Sequence, residues 1–220
     1  MALQKKYSNF KELLVRNLLS ESPIIPVITL DRVSDAVPLA EALLAGGLRV
    51  LEITLRTEAA IEGIKEIIRQ VPGAIVGSGT VCNAEQIALS EDIGCQFMVS
   101  PGSTDGLLAA AEGCSIPLLP GVSSVSELMR GLDYGHSDFK FFPAEASGGV
   151  NMLKSIAGPF ADVRFCATGG IGLHNVADYL ALDNILSVGG SWITAANLIR
   201  EKRWADIEKL AQEATVLAGR

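Results

Sequence analysis

Ile24-Ile25-Pro26-Val27-Ile28-Thr29-Leu30 is an apolar, β-rich run that passes directly into Asp31-Arg32. A strand apolar along both faces is one that is covered on both faces. The Gly-x-Gly-x-x-Gly turn that follows the first strand of a dinucleotide-binding sheet is absent at Asp31-Arg32. Helical spacing comes next, with Val33, Val37, Leu39, Ala40, Leu43 and Leu44 on one face. A second run, Arg49 to Leu55, completes a strand–helix–strand unit.

The unit recurs. Further runs span Ala74 to Ser78, Gln96 to Ser100, Pro117 to Leu119, Phe139 to Phe142, Arg164 to Thr168 and Ile185 to Val188, so eight strands are expected. Ile61, Ile64, Ile67 and Ile68 mark one intervening helix, and others begin near Asn83, Thr104, Ser123, Val150 and His174. A last helix follows Trp204, and Ser8 to Leu19 reads as an extra helix ahead of the first strand. Ser34, Asn83, Thr104 and Ser123 are expected to cap helices.

Strict alternation implies parallel strands with right-handed crossovers. Eight units in 220 residues, about 27 residues each, suit a compact α/β fold, the (β/α)8 TIM barrel. The alternative is an open doubly wound sheet, which the missing glycine turn disfavours. The expected organisation is an N-terminal helix within residues 1–22 and a single barrel domain over 23–220, with no linker between further domains.

Hydrophobic residues make up 49% of the chain, enough for one sizeable core. The formal net charge of −7 and the lack of a basic cluster exclude nucleic acid and anionic membrane as natural partners. An anionic substrate would need a locally positive site. Cys82, Cys95, Cys114 and Cys166 form no Cys-x-x-Cys pair, so reduced thiols and a cytoplasmic location are expected. Lys5, Lys6, Lys11 and Glu12 argue against a signal peptide, and no apolar stretch of about 18 residues offers a membrane span.

Barrel active sites lie at the C-terminal ends of the strands. An inward polar side chain in a strand is costly unless it is paired or functional. Two runs break the apolar rule. In Val50-Leu51-Glu52-Ile53-Thr54-Leu55-Arg56, alternation places Leu51, Ile53 and Leu55 under the helices and Glu52, Thr54 and Arg56 toward the barrel. A solvated face on an edge strand is the bland alternative, though a closed barrel has no edge. In Asp138-Phe139-Lys140-Phe141-Phe142-Pro143, alternation points Lys140 and Phe142 inward. Desolvation favours the free amine that a nucleophile needs, whereas the bland alternative is a structural ion pair between Lys140 and Glu52.

Several strand ends carry polar or glycine-rich turns: Gly77-Ser78-Gly79-Thr80, Ser100-Pro101-Gly102, Thr168-Gly169-Gly170 and Gly189-Gly190-Ser191. Glycines let backbone N–H groups approach an anion, and the last two turns are where barrels often hold phosphate. They are otherwise ordinary tight turns. His136 and His174 are the only histidines, with no carboxylate at ligand spacing. Solvated or capping roles suit them better than a metal site.

Together, Leu51-Glu52-Ile53-Thr54-Leu55-Arg56-Thr57, Gly79-Thr80, Ser100-Pro101-Gly102, Phe139-Lys140-Phe141-Phe142-Pro143-Ala144-Glu145 and Thr168-Gly169-Gly170-Ile171 resemble the bacterial 2-keto-3-deoxy-6-phosphogluconate aldolases, class I enzymes of the Entner–Doudoroff pathway. The likeness extends to Pro120-Gly121, Gly158-Pro159-Phe160 and Gly189-Gly190-Ser191-Trp192. Ala167 departs from the proline the family often has before its Thr-Gly-Gly turn. The resemblance implies a Schiff base on Lys140 and proton transfer by Glu52. Arg56 and Thr80 would hold the substrate carboxylate, and Pro101 and Phe142 would wall the pyruvate half. Thr168, Gly169, Gly170, Gly190 and Ser191 would take the phosphate. It further implies a small phosphorylated keto-acid substrate, no metal or other cofactor, and a homotrimer. Relatives act on the galactonate epimer or on 4-hydroxy-2-oxoglutarate. An isomerase or synthase on a phosphate-binding barrel, or a sugar-phosphate sensor, would need no covalent lysine.

Overall fold

The computed structural model describes residues 2–217 and Gly219, with side chains from Lys11 onward. Helix α1 spans Ala2–Glu21, longer at both ends than its apolar spacing marked. There follow β1 (Ile24–Ile28), α2 (Ala36–Ala45), β2 (Val50–Thr54), α3 (Ala59–Gln70), β3 (Ile75–Gly79), α4 (Ala84–Asp92), β4 (Phe97–Val99) and α5 (Asp105–Glu112). Next come β5 (Leu118–Leu119), β6 (Gly121–Val122), α6 (Val125–Asp133), β7 (Asp138–Phe141), α7 (Gly149–Ala157) and β8 (Arg164–Thr168). The described chain closes with α8 (Val176–Leu180), β9 (Ile185–Gly190), α9 (Ala196–Arg200) and α10 (Trp204–Leu217).

All the strand pairings are parallel, in the order β5-β4-β3-β2-β1-β9-β8-β7-β6. The expected fifth strand is two short segments, because Pro120 carries no N–H and interrupts the ladder. β5 pairs with β4 and β6 pairs with β7, so the two halves of one broken strand close the sheet into a TIM-barrel-like ring. Across the break, Lys140 N–H still donates to the Pro120 carbonyl at 2.9 Å.

Alternation sorts the side chains. Leu51, Ile53, Phe139, Phe141, Phe165 and Ala167 point outward and pack with Ile64, Leu128, Leu153 and Ile156 of the helices in the main core. Val50, Phe97, Val99, Leu119 and Cys166 point into the lumen, where Val15 and Leu19 of α1 join them. The extra helix therefore plugs the N-terminal end of the barrel. Polar ties seat it: Glu12 accepts from Ser137 N–H at 2.8 Å, and Arg16 Nε donates to Asp138 at 3.1 Å. Burial pushes the Asp138 carboxyl up from its ordinary value, against the pull of the Arg16 guanidinium. With α1 packed into its lower end, the barrel presents its mouth at the C-terminal ends of its strands.

Asn83 and Thr104 cap α4 and α5 as expected. The other two expected caps do not form where the sequence places them. Ser124, one residue past Ser123, forms a capping box with Glu127 at α6. Ser34 falls inside a 3₁₀ turn, Val33–Asp35, and caps nothing. His136 is neither solvated nor a cap, since its Nδ1 lies 2.9 Å from Glu12 Oε1 in the seat of α1. Among the described residues, no helix is long and apolar enough to cross a membrane.

Candidate active site

Glu52 and Lys140 meet inside the barrel mouth. Glu52 is the middle residue of β2, flanked by Val27 and Gly77 on the neighbouring strands. Lys140 sits in β7 between Gly121 and Cys166. Their side chains are 2% and 3% exposed as residues, and Lys140 Nζ donates to Glu52 Oε1 at 3.1 Å. The lysine also lies 5.3 Å from the ring centroid of Phe142, a favourable cation–π distance. Small residues keep the space clear. A Cβ on Gly79 would lie 2.4 Å from Glu52 Oε1, and one on Gly77 would strike the Phe97 ring at the same distance.

Thr54, one alternation above Glu52, is also buried, and its hydroxyl donates to the Ile28 carbonyl at 3.0 Å. Arg56 does not enter the lumen as alternation alone implies. The strand ends at Thr54, the chain turns, and Arg56 stands exposed on the rim. There its Nε donates to Thr80 Oγ1 at 2.9 Å. Thr80 has φ +62°, a left-handed conformation that a β-branched residue adopts only at a cost. The guanidinium and hydroxyl thus stand together beside the mouth, ahead of the buried amine.

Pro101 is half-buried on the β4 loop, against Gly121, where a Cβ would lie 2.4 Å from the Pro101 carbonyl carbon. On the opposite rim, Gly169 (φ +107°) and Gly170 (φ +76°) form a left-handed turn after β8 that favours glycine. Thr168 is buried at the end of β8, and a Cβ on Gly189 would lie 2.2 Å from its Oγ1. Gly190 ends β9 beneath the Trp192 ring, and Ser191 is exposed just beyond it. The two glycine turns adjoin because β8 and β9 pair, Thr168 beside Gly189.

The structure therefore gathers Glu52, Lys140 and Phe142 at one centre, with Arg56, Thr80 and Pro101 on one rim and Thr168, Gly169, Gly170, Gly190 and Ser191 on the other. The space-making role of Gly79 has no local signature, because the clash it avoids is with a side chain 27 positions away. Among the described residues, no group of three His, Cys, Asp or Glu side chains is placed to hold a metal ion.

A closed parallel barrel with one amine facing one carboxylate in its mouth, and glycine turns around the rim, is built as an enzyme for a small polar molecule. The model of KDPG and KHG aldolases matches residues 15–210, and the chain belongs to that family. A 2-dehydro-3-deoxy-phosphogluconate aldolase of Dickeya dadantii is 55% identical over 197 residues, 90% of this chain and 92% of that protein. A KHG/KDPG aldolase of Escherichia coli is 54% identical over 198 residues, 90% of this chain and 93% of that protein. Among solved structures, a KDPG aldolase from Legionella pneumophila superposes with a TM-score of 0.89 at 47% identity, covering 90% of this chain and 96% of that one. That crystal holds pyruvate captured at low pH as a covalent carbinolamine intermediate.

Proposed function

We propose that the protein is a class I aldolase that cleaves 2-dehydro-3-deoxy-6-phosphogluconate to pyruvate and glyceraldehyde 3-phosphate, with no metal ion or other cofactor. The observation that carries this is the buried contact of Lys140 Nζ with Glu52 Oε1 at 3.1 Å. A buried amine beside a carboxylate supplies both a nucleophile and a proton carrier in one place.

In this mechanism the Lys140 amine adds to the C2 ketone, and Glu52 relays a proton to the new alkoxide. Loss of water from the carbinolamine leaves an iminium. Glu52 then takes the proton of the C4 hydroxyl, the C3–C4 bond breaks, and its electron pair moves into the iminium to give an enamine. The aldehyde leaves, C3 is protonated, and water releases pyruvate and the free lysine. Arg56 and Thr80 hold the substrate carboxylate, a role suited to a guanidinium. Pro101 and Phe142 enclose the pyruvate half. Thr168, Gly169, Gly170, Gly190 and Ser191 bind the phosphate. The chain works as a cytoplasmic homotrimer in the Entner–Doudoroff pathway.

A relative named for both KHG and KDPG at 54% identity favours a second activity of the same site, on 4-hydroxy-2-oxoglutarate. The decisive experiment is incubation with pyruvate and borohydride. One pyruvate-derived secondary amine per subunit should form on Lys140, and on no surface lysine such as Lys154 or Lys202. An adduct on another lysine would displace the site, and none under conditions of cleavage would exclude the mechanism. Pyruvate release from the gluconate, galactonate and oxoglutarate substrates then ranks them.

A further inference from the structure

Tyr179 of α8 is wholly buried in the main core, yet its hydroxyl donates to Oε1 of Glu145, an otherwise exposed residue. Burial, with the carboxylate beside it, pushes the Tyr179 phenol well above its ordinary value, so it remains a donor. Glu145 lies on the loop leaving β7, five residues beyond Lys140. Its side chain lies across the turn after β8. A Cβ on Gly170 would fall 2.7 Å from both Cβ and Cγ of Glu145. A Cβ on Gly149 would fall 3.1 Å from both the Glu145 carboxylate and the Tyr179 hydroxyl. Backbone bonds run alongside, from Ala144 N–H to the Thr168 carbonyl at 2.8 Å and from Glu145 N–H to the Gly169 carbonyl at 3.1 Å.

A carboxylate beside an anion-binding turn is a poor choice unless something restrains it, because like charges repel across a short distance. Here the restraint is a rigid phenol anchored in the core. We infer that Tyr179 is a positioning residue for the phosphate half of the site. Through Glu145 it braces the Gly169-Gly170 turn against the strand that carries Lys140, and it keeps the Glu145 carboxylate from swinging toward bound phosphate. The inference rests on the aldolase function proposed above.

The test compares Tyr179→Phe, which keeps the buried ring and removes only the hydroxyl, with the unaltered protein. The KM for phosphorylated substrate should rise about tenfold, the size of one hydrogen bond to a charged group. Deuterium exchange at C3 of pyruvate, which involves no phosphate, should stay unchanged. Glu145→Gln keeps an acceptor for the phenol and should leave KM near that of the unaltered protein. An unchanged KM in Tyr179→Phe, or cleavage and pyruvate exchange falling together, would overturn the inference. If Tyr179→Phe does not fold, Glu145→Ala approaches the brace from its exposed end, with the same expected rise in KM and the same overturning results. Failure of the unaltered protein to trap pyruvate on Lys140 would instead remove the aldolase function itself.

Discussion

Gly79 stands where any side chain would collide with the carboxylate of Glu52, at 2.4 Å from Oε1 and 2.7 Å from Cγ. The glycine has no left-handed φ, so alanine suits the backbone there and only the neighbour objects. Gly79→Ala should therefore fold and should move Glu52 off Lys140. Misplacement of a catalytic group by about 1 Å can cost on the order of 10²-fold in rate. Turnover should fall by that order, and the thermal transition should drop in a variant that still folds, because a buried pair is separated. Full activity in the folded variant would show that Glu52 has room to spare.

Glu52→Gln keeps the size and polarity of the side chain but removes its capacity to carry a proton. General acid–base terms are typically worth about 10²- to 10⁴-fold, and steady-state turnover should fall within that range with the fold retained. A fall below about threefold would place the proton carrier elsewhere.

Ser191 lies exposed just past β9, beside the glycine turn after β8. Ser191→Asp brings a negative charge to the proposed phosphate position. Binding of phosphorylated substrate should weaken far more than pyruvate enolisation does, as read by KM against C3 deuterium exchange. Equal effects on the two would move the phosphate to another part of the rim.

The four thiols should divide by burial. Cys82 is exposed, whereas Cys95, Cys114 and Cys166 are buried and burial raises each of their thiols. Cys95 is pushed up to about 11 from an ordinary 9.0, with Ser78 pulling back. Between those values the folded chain keeps a proton that the unfolded chain has lost. Its contribution is thus fully present below the ordinary thiol value and is lost as pH rises toward about 11. A thiol reagent at neutral pH should modify Cys82 alone until the protein is denatured. Stability measured by denaturant should decline across the alkaline window. Rapid labelling of Cys95 in the native state would contradict both.

Much of the barrel and of its mouth is legible along the chain, because alternation is a local property. Each of Val50 to Thr54 and Asp138 to Phe141 declares by its own period which residues face the helices, and so marks Glu52 and Lys140 as inward-pointing. Glycine turns after β8 and β9 are likewise written where they occur. Local pattern fails where a residue answers to a distant one. Pro120 looks like the end of a strand but is the break across which the barrel closes. Arg56 follows the inward period yet leaves the lumen, because the ladder stops at Thr54 and the chain turns toward Thr80. His136 reads as a solvated loop residue until α1 folds beneath the barrel and brings Glu12 to it. Sequence alone determined the repeating unit, the facing of its side chains and the residue types available for chemistry. Only the tertiary structure decided that Lys140 meets Glu52 across 88 positions, that Gly79 leaves room for the carboxylate, and that Tyr179 restrains Glu145. Those relations depend on ring closure, which joins strands remote in the chain at distances no local period encodes.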